Sequence, residues 1–307
     1  MGDSILHLEK LRKRALSLFT KTIIISSSAT LLSSMILVPR GYAVFAIGFS
    51  ILLGIGTGFL MAVLLGFFRA NQNFLQAFKA SLVEAPICDT FSQVVYNPTK
   101  GIEKEVIKQT GIMSMGNIFL SNDYIQGYYR DVRFERSDVT IQDHVNLGKT
   151  SYTTTYLKGR WLIFEFNKDF QFDLQVIDKK FKSTSKNSSI FTQIDKRRHR
   201  IKFEDSEFNE TFRVYGQDDP EAYYILTPQF MAVIKEMKCI LDGTFMLGFI
   251  NNQLHVAIHT NKDPMEPSIF KNIDLHQIQS EVQTEIDIII NIIDSLDLDR
   301  VFYKHLS

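Results

Sequence analysis

Between Thr22 and Phe68 the chain carries one charged residue, Arg40, and no other stretch of its 307 residues constrains the fold as strongly. Seventeen uncharged residues run from Thr22 to Val38, and twenty-eight from Gly41 to Phe68. At ~1.5 Å per helical residue these runs reach ~26 Å and ~42 Å, against a hydrocarbon core of ~30 Å. The first run needs flanking residues to span a bilayer, and the second has to tilt or project from it. A helical hairpin buried in a soluble core is the alternative, but so long an apolar run is hard to place there. A signal peptide fits the first run poorly. Its charged leader is long, Val38-Pro39-Arg40-Gly41 lacks a small-x-small cleavage site, and a second run follows at once. The expectation is a basic cytoplasmic leader over 1–21 and a two-helix transmembrane hairpin over 22–68.

Orientation follows from the charges that flank the hairpin. Lys10, Arg12, Lys13, Arg14 and Lys21 precede it, Arg40 alone lies between the runs, and Arg69 and Lys79 follow. Both termini are therefore expected on the cytoplasmic side. Neither run contains Asp, Glu, Lys, Arg or His, which argues against a transporter acting as a single unit. Ser50, Gly54 and Gly58 form a small-xxx-small ladder that lets another helix approach closely, with Ser26, Ser27, Ser28, Thr30, Ser33 and Ser34 as small counterparts on the first run. A hairpin packed on itself is favoured over a dedicated homodimer face. Gly54-x-Gly56-x-Gly58 is not a nucleotide loop, because no strand precedes it.

Beyond residue 68 the pattern is that of an α+β fold. A helical connector is expected over 69–110. Phe74, Leu75, Phe78 and Leu82 share a face of its first helix, Pro86 interrupts it, and a second helix runs from an Asn97 cap with Pro98 at its first position to about Gln109. From 111 to 307 a cytoplasmic α+β domain is expected, with a possible division into subdomains near 180–200. Tyr124–Tyr129, Val132–Glu135, Tyr152–Tyr156, Leu162–Phe166 and Phe172–Val176 read as strands, with turns at Lys158-Gly159 and Asn167-Lys168-Asp169. Their short spacing favours an antiparallel meander. Thr211–Val214 is a further strand. Asp218 and Thr227 open two helices, each followed closely by a proline, and Asn251-Asn252 closes a hairpin. A long helix from about Ile273 to Asp297 carries Leu275, Ile278, Val282, Ile286, Ile289, Ile293 and Leu296 on one stripe, suited to packing on the sheet or, alternatively, to self-association.

Phe208-Asn209-Glu210-Thr211-Phe212-Arg213-Val214-Tyr215, the block from Asp218-Asp219-Pro220-Glu221-Ala222 through Leu226-Thr227-Pro228, and Phe249-Ile250-Asn251-Asn252-Gln253 lead into the final Ile-rich helix. With two N-terminal apolar runs, this order resembles a bacterial two-pass membrane family known as a domain of unknown function and associated with LemA-type membrane proteins. The resemblance implies topology and compartment, a multi-pass protein of the bacterial inner membrane. It implies no activity and transfers no catalytic residue. Read physically, its motif residues are mostly helix caps.

Signatures of chemistry are incomplete. Gly148-Lys149-Thr150 echoes the end of a phosphate loop, but Asp143 stands where a glycine is needed and a strand follows. His255 and His259, with Asp263, are the weak candidates for a metal site, too far apart along a strand to share one ion without further ligands. Cys88 and Cys239 are isolated, too few for a disulfide framework. No cofactor and no small-molecule substrate is indicated. Lys+Arg and Asp+Glu balance at 34 each, which excludes a chain-wide nucleic-acid binder. The balance is local in origin. Lys179, Lys180, Lys182, Lys186, Lys196, Arg197, Arg198 and Arg200 cluster against Asp195 alone, whereas Ile273–Asp299 is acidic without Lys or Arg. Such a basic loop is either a solvated surface, a contact for anionic lipid, or a partner of the acidic helix. The leading expectation is a membrane protein that presents an α+β domain to a protein partner or to further copies of itself, in contact with the bilayer. The alternative is a membrane-bound, metal-dependent hydrolase whose site is assembled from distant residues.

Overall fold

A computed structural model describes residues 2–37, 43–148, 150–165, 172–181, 198–260 and 267–296. The chain divides into two compact units, one of residues 1–85 with 264–280, the other of residues 86–263 with 281–307.

In the first unit, helix α1 (Gly2–Leu37) meets α2 (Ala43–Leu64), and α3 (Phe67–Phe78) returns along α1. Gly66, at φ +69°, forms the break between α2 and α3, a backbone conformation that costs a glycine little. A π-helical turn (Lys79–Glu84) runs without a break into α4 (Ala85–Thr90), so Pro86 lies inside a continuous helical stretch and removes one hydrogen bond from it. Leu8, Ala15, Ala70, Phe74, Phe78, Leu82 and Val83 form the buried seam. Arg12 is buried beside it. Its guanidinium donates to the Ile269 carbonyl at 3.1 Å and to Asn272 Oδ1 at 2.9 Å, and Glu9 both pairs with it and accepts from Ile273 N. The segment ahead of the C-terminal helix is thereby tied to α1.

The second unit is built on one nine-stranded antiparallel sheet. Its strands are β1 (Ser92–Asn97), β2 (Ile118–Tyr129), β3 (Val132–Asn146), β4 (Ser151–Glu165), β5 (Leu174–Asp178), β6 (His199–Ile201), β7 (Phe212–Gly216), β8 (Thr244–Ile250) and β9 (Gln253–His259). They lie in the order β1-β2-β3-β4-β9-β8-β5-β7-β6. Between β1 and β2 falls α5 (Lys104–Gln109); α6 (Ser206–Thr211) precedes β7, α7 (Asp219–Ile225) and α8 (Pro228–Ile240) follow it, and α9 (Leu275–Ser295) closes the described chain. The fold is α+β with a large antiparallel sheet and a C-terminal helix.

Three expectations are corrected by this topology. The connector 69–110 is not all helix, because Ser92–Asn97 pairs with β2 and α5 begins only at Lys104. Asn97 instead closes a tight turn, its Oδ1 accepting from Thr99 N and Lys100 N at 3.1 and 3.0 Å. Lys158-Gly159 is no turn but the middle of β4, flanked by Val139 of β3 and His259 of β9. Glycine is required there by close approach rather than by chain reversal, since a Cβ would stand 2.1 Å from the Ile258 carbonyl oxygen. Nor does the domain divide near 180–200, because β5 ahead of that stretch pairs with β7 and β8 beyond it. The Asn167-Lys168-Asp169 turn lies outside the described residues.

Both sheet faces are covered. On one, Val139, Ile141, Leu157, Trp161, Ile163, Met246 and Ala257 pack with Ile107 of α5 and with Ile112. On the other, Val214, Val176, Leu247, Val256 and Leu162 stand in register across five strands. Phe230 of α8 meets Phe249 of that sheet, and the stripe Val282, Ile286, Ile289 and Ile293 of α9 is buried. Helix starts follow the sequence closely: Asp218 accepts from Glu221 N at 3.0 Å and Thr227 from Phe230 N at 3.2 Å, each with a proline at the first turn. Replacing either cap by alanine should lower the stability of this unit by about 1 kcal/mol. The chain's single tryptophan, Trp161, is buried in the unit, and its emission during urea unfolding measures the change.

Candidate functional site

Helices α1 and α2 interlock through the small residues singled out in the sequence. A Cβ on Gly54 would collide with Thr30, and one on Gly58 would stand 2.7 Å from Ser26 Oγ. Ser26 in turn donates to the Gly54 carbonyl at 2.5 Å. Pairing 26 with 58 and 30 with 54 makes the helices antiparallel. The ladder is thus filled from within the chain by Gly54 and Gly58; the side chain of Ser50 lies outside the described ones. The outward faces are apolar. Ile24, Leu52, Ile55, Phe59 and Leu64 are all more than half exposed. Among the described residues no single helix is long and apolar enough to cross a membrane. One bent pair, Ile51–Leu64 followed at 54° by Phe67–Thr90, passes by length and composition.

The second unit contains a feature that sequence reading missed, a buried ionic cluster under α9. Arg136 and Asp138 occupy inward positions two apart on β3, and Arg160 lies opposite Asp138 on β4. The Arg136 guanidinium grips Asp138 with two bonds of 2.9 Å and donates a third to Glu285 of α9 at 2.9 Å. Arg160 Nε donates to Glu285 at 2.6 Å, and its Nη2 also contacts that carboxylate. Beside the cluster, buried Asp123, at φ +53° in the β2 bulge, accepts from the Tyr96 hydroxyl at 2.7 Å. Burial opposes the Arg136 charge, but Asp138 and Glu285 outweigh it and hold its pKa above the ordinary arginine value. Burial, with Asp123 adding to it, raises the Tyr96 hydroxyl, so it stays a donor. The available signal was the strand alternation Phe134, Arg136, Asp138, which places two charges where core residues belong.

The proposed metal candidates take structural places. His255 is 2% exposed and accepts from the Trp161 indole at 3.3 Å through Nδ1, and burial lowers its pKa to about 4. His259 accepts from Lys158 N at 3.0 Å. Asp263 lies outside the described residues, and among those described no three His, Cys, Asp or Glu side chains are placed to hold a metal ion. Of the basic loop, Lys182, Lys186, Lys196 and Arg197 lie outside the described residues. Lys179 and Lys180 follow β5, and Arg200 is exposed on β6. Arg198, expected at the surface, is instead buried, its side chain 2% exposed and bound to Asp173 at 2.5 Å and to the Thr110 carbonyl at 3.3 Å. Lys149 of the Gly148-Lys149-Thr150 echo also lies outside the described residues; Leu147 N donates to the Thr150 carbonyl at 2.9 Å.

One groove of about 580 Å³ opens on the second unit. Phe203, Tyr223, Leu226, Pro228 and Met231 form its apolar floor, with Lys202, Glu204 and Asp205 at its border. Phe203 and Tyr223 meet edge to face at 5.0 Å, and the Tyr223 hydroxyl donates to the Lys202 carbonyl, so the floor is held in shape.

The crystal structure of the mycobacterial trehalose monomycolate transport factor A, TtfA, is similar at 9% identity and a TM-score of 0.37, over 71% of this chain and 95% of that one. No curated protein matches the chain. The family model described as "Protein of unknown function (DUF3137)" matches residues 155–298. That match begins within β4 and ends just beyond α9.

Proposed function

We propose that the chain is an integral membrane protein in which the α1–α2 hairpin anchors an α+β unit at the cytoplasmic surface, where it receives a protein partner. The observation that carries this reading is the apolar outer surface of the hairpin. Leu52 is 71% exposed, Leu64 67%, and Ile55 and Phe59 66% each, a density of exposed large side chains that in water favours association or insertion. The bent pair Ile51–Leu64 and Phe67–Thr90, which together have the length and composition of a span, adds support. The uneven charge on either side of the hairpin supports cytoplasmic termini. The groove around Phe203, Tyr223 and Met231 is the candidate partner face, since an aromatic-lined apolar floor with a polar border has the make-up of an interface core.

The test uses the full chain in cells. It should stay in the membrane pellet after alkaline carbonate extraction, and exposed Cys239 of α8 should react with a membrane-impermeant maleimide only after lysis. Release by carbonate would refute the anchor. Labelling of Cys239 in intact cells would refute the cytoplasmic placement.

A further inference from the structure

At the break between α2 and α3 a small cleft of about 120 Å³ is enclosed by α1 on one side and by α3 on the other. Leu11, Arg14 and Leu18, spaced at three and four residues, bring one face of α1 to it; Arg69, Ala70 and Asn73 bring one face of α3. Its polar side chains are two guanidiniums and one amide, and no carboxylate lines it. Neither Arg14 nor Arg69 forms an ion pair among the described residues. Gly66 at the N-cap of the twelve-residue α3 supplies no capping side chain, so the positive end of that helix faces the same space. The volume is far below the roughly 300–1,000 Å³ of small-molecule pockets and suits a single charged group. Leu65 forms part of the wall, and exposed Leu64 and Phe68 flank it, so the cleft opens where the apolar helices give way to charged ones.

We propose that this cleft is a headgroup site for an anionic phospholipid, with Arg14 and Arg69 gripping the phosphodiester from the two helices, Asn73 donating its amide, and the acyl chains lying along the apolar outer surface of α2. Guanidinium suits this task because its planar fork bonds two phosphate oxygens at once. The inference rests on the membrane reading given above and adds a specific lipid contact to it. This contact is separate from the basic stretch between 179 and 200.

The full-length chain, purified in a mild detergent, is titrated with phosphatidylglycerol or with phosphatidylcholine and its lipid adducts are counted by native mass spectrometry. Preferential retention of phosphatidylglycerol is expected. Arg14→Gln and Arg69→Gln should each weaken it roughly fivefold, and the pair on the order of twentyfold, from the usual gain per basic group near an anionic surface. Lys10→Gln with Lys13→Gln, which removes the same charge from α1 outside the cleft, should leave retention within about twofold. Unchanged retention in the double arginine variant, or an equal loss in the lysine control, overturns the proposal. So does displacement by millimolar inorganic phosphate, which would indicate a free-anion site. Should the double variant fail to accumulate, the two single variants read the same selectivity. Carbonate extraction of each variant separates the two readings: a chain that stays in the membrane yet shows no arginine-dependent lipid selectivity sinks the headgroup site alone, whereas a chain released from the membrane sinks the anchor as well.

Discussion

Glu285→Ala should destabilise the sheet-bearing unit by about 3–5 kcal/mol, the cost of leaving buried charge without its partner. Glu285 is 3% exposed and is the acceptor for both Arg136 and Arg160; Asp138 can answer only the first of them. Its loss strands Arg160 at 6% exposure, under a helix that otherwise presents Val282, Ile286 and Ile289. The double substitution Arg160→Met with Glu285→Met should lose clearly less than Glu285→Ala, because it removes donor and acceptor together and leaves the Arg136–Asp138 fork intact. Arg160 Nη1 is already buried without a hydrogen-bonding partner, so the ionic pair is imperfect and an apolar pair of similar volume has little to replace. Urea unfolding followed by Trp161 emission ranks the variants. A Glu285→Ala chain as stable as the parent, or a double variant less stable than the single one, contradicts this account.

Acid should weaken the same unit through His255. Buried against Trp161, its imidazole has a pKa lowered to about 4 when folded, against the ordinary histidine value of 6.5. The unfolded chain therefore binds more protons between those values, and stability falls as pH drops through that window. Above pH 6.5 the contribution is constant, and below pH 4 it is fully lost. From about pH 7 to about pH 4.5 the loss expected from this residue is about 2–3 kcal/mol. A proton on Nδ1 would also end its role as acceptor from the indole, so the two losses are one event. His255→Gln, which keeps an acceptor and removes the titration, should flatten the pH dependence by that amount. A variant with the parent's acid sensitivity would place the effect elsewhere.

Local chemistry was legible wherever one residue type carries one geometry. Asp218 and Thr227 cap their helices, Asn251 takes φ +53° in the hairpin turn, and the Ile stripe of α9 is buried. What escaped depends on partners distant in sequence. Gly159 looked like a turn because glycine weakens strands, yet the cause is a carbonyl almost a hundred residues later passing too close for a side chain. Asn97-Pro98 resembled a helix start, but pairing with β2 recruited the preceding residues as a strand. Glu285 stood in the sequence as one of several acids of the terminal helix, because nothing beside it reveals arginines on β3 and β4. For the candidate sites, the Gly54 and Gly58 ladder was visible in the sequence. The Arg14–Arg69 cleft was not, since it requires α3 to fold back on α1.

The two outermost strands bear on crowding. At one margin β6 is three residues long; at the other, β1 is kinked by a bulge between Ser92 and Val95, with Gln93 at φ +51°. Such margins offer a neighbouring chain too little straight backbone to extend the hydrogen-bonded ladder. On the membrane anchor proposed above, the chain meets its own copies at high local density, where nine strands ending in long flat margins would polymerise. With both margins blunted, copies can gather side by side without fusing into a continuous sheet, which leaves recognition to side chains.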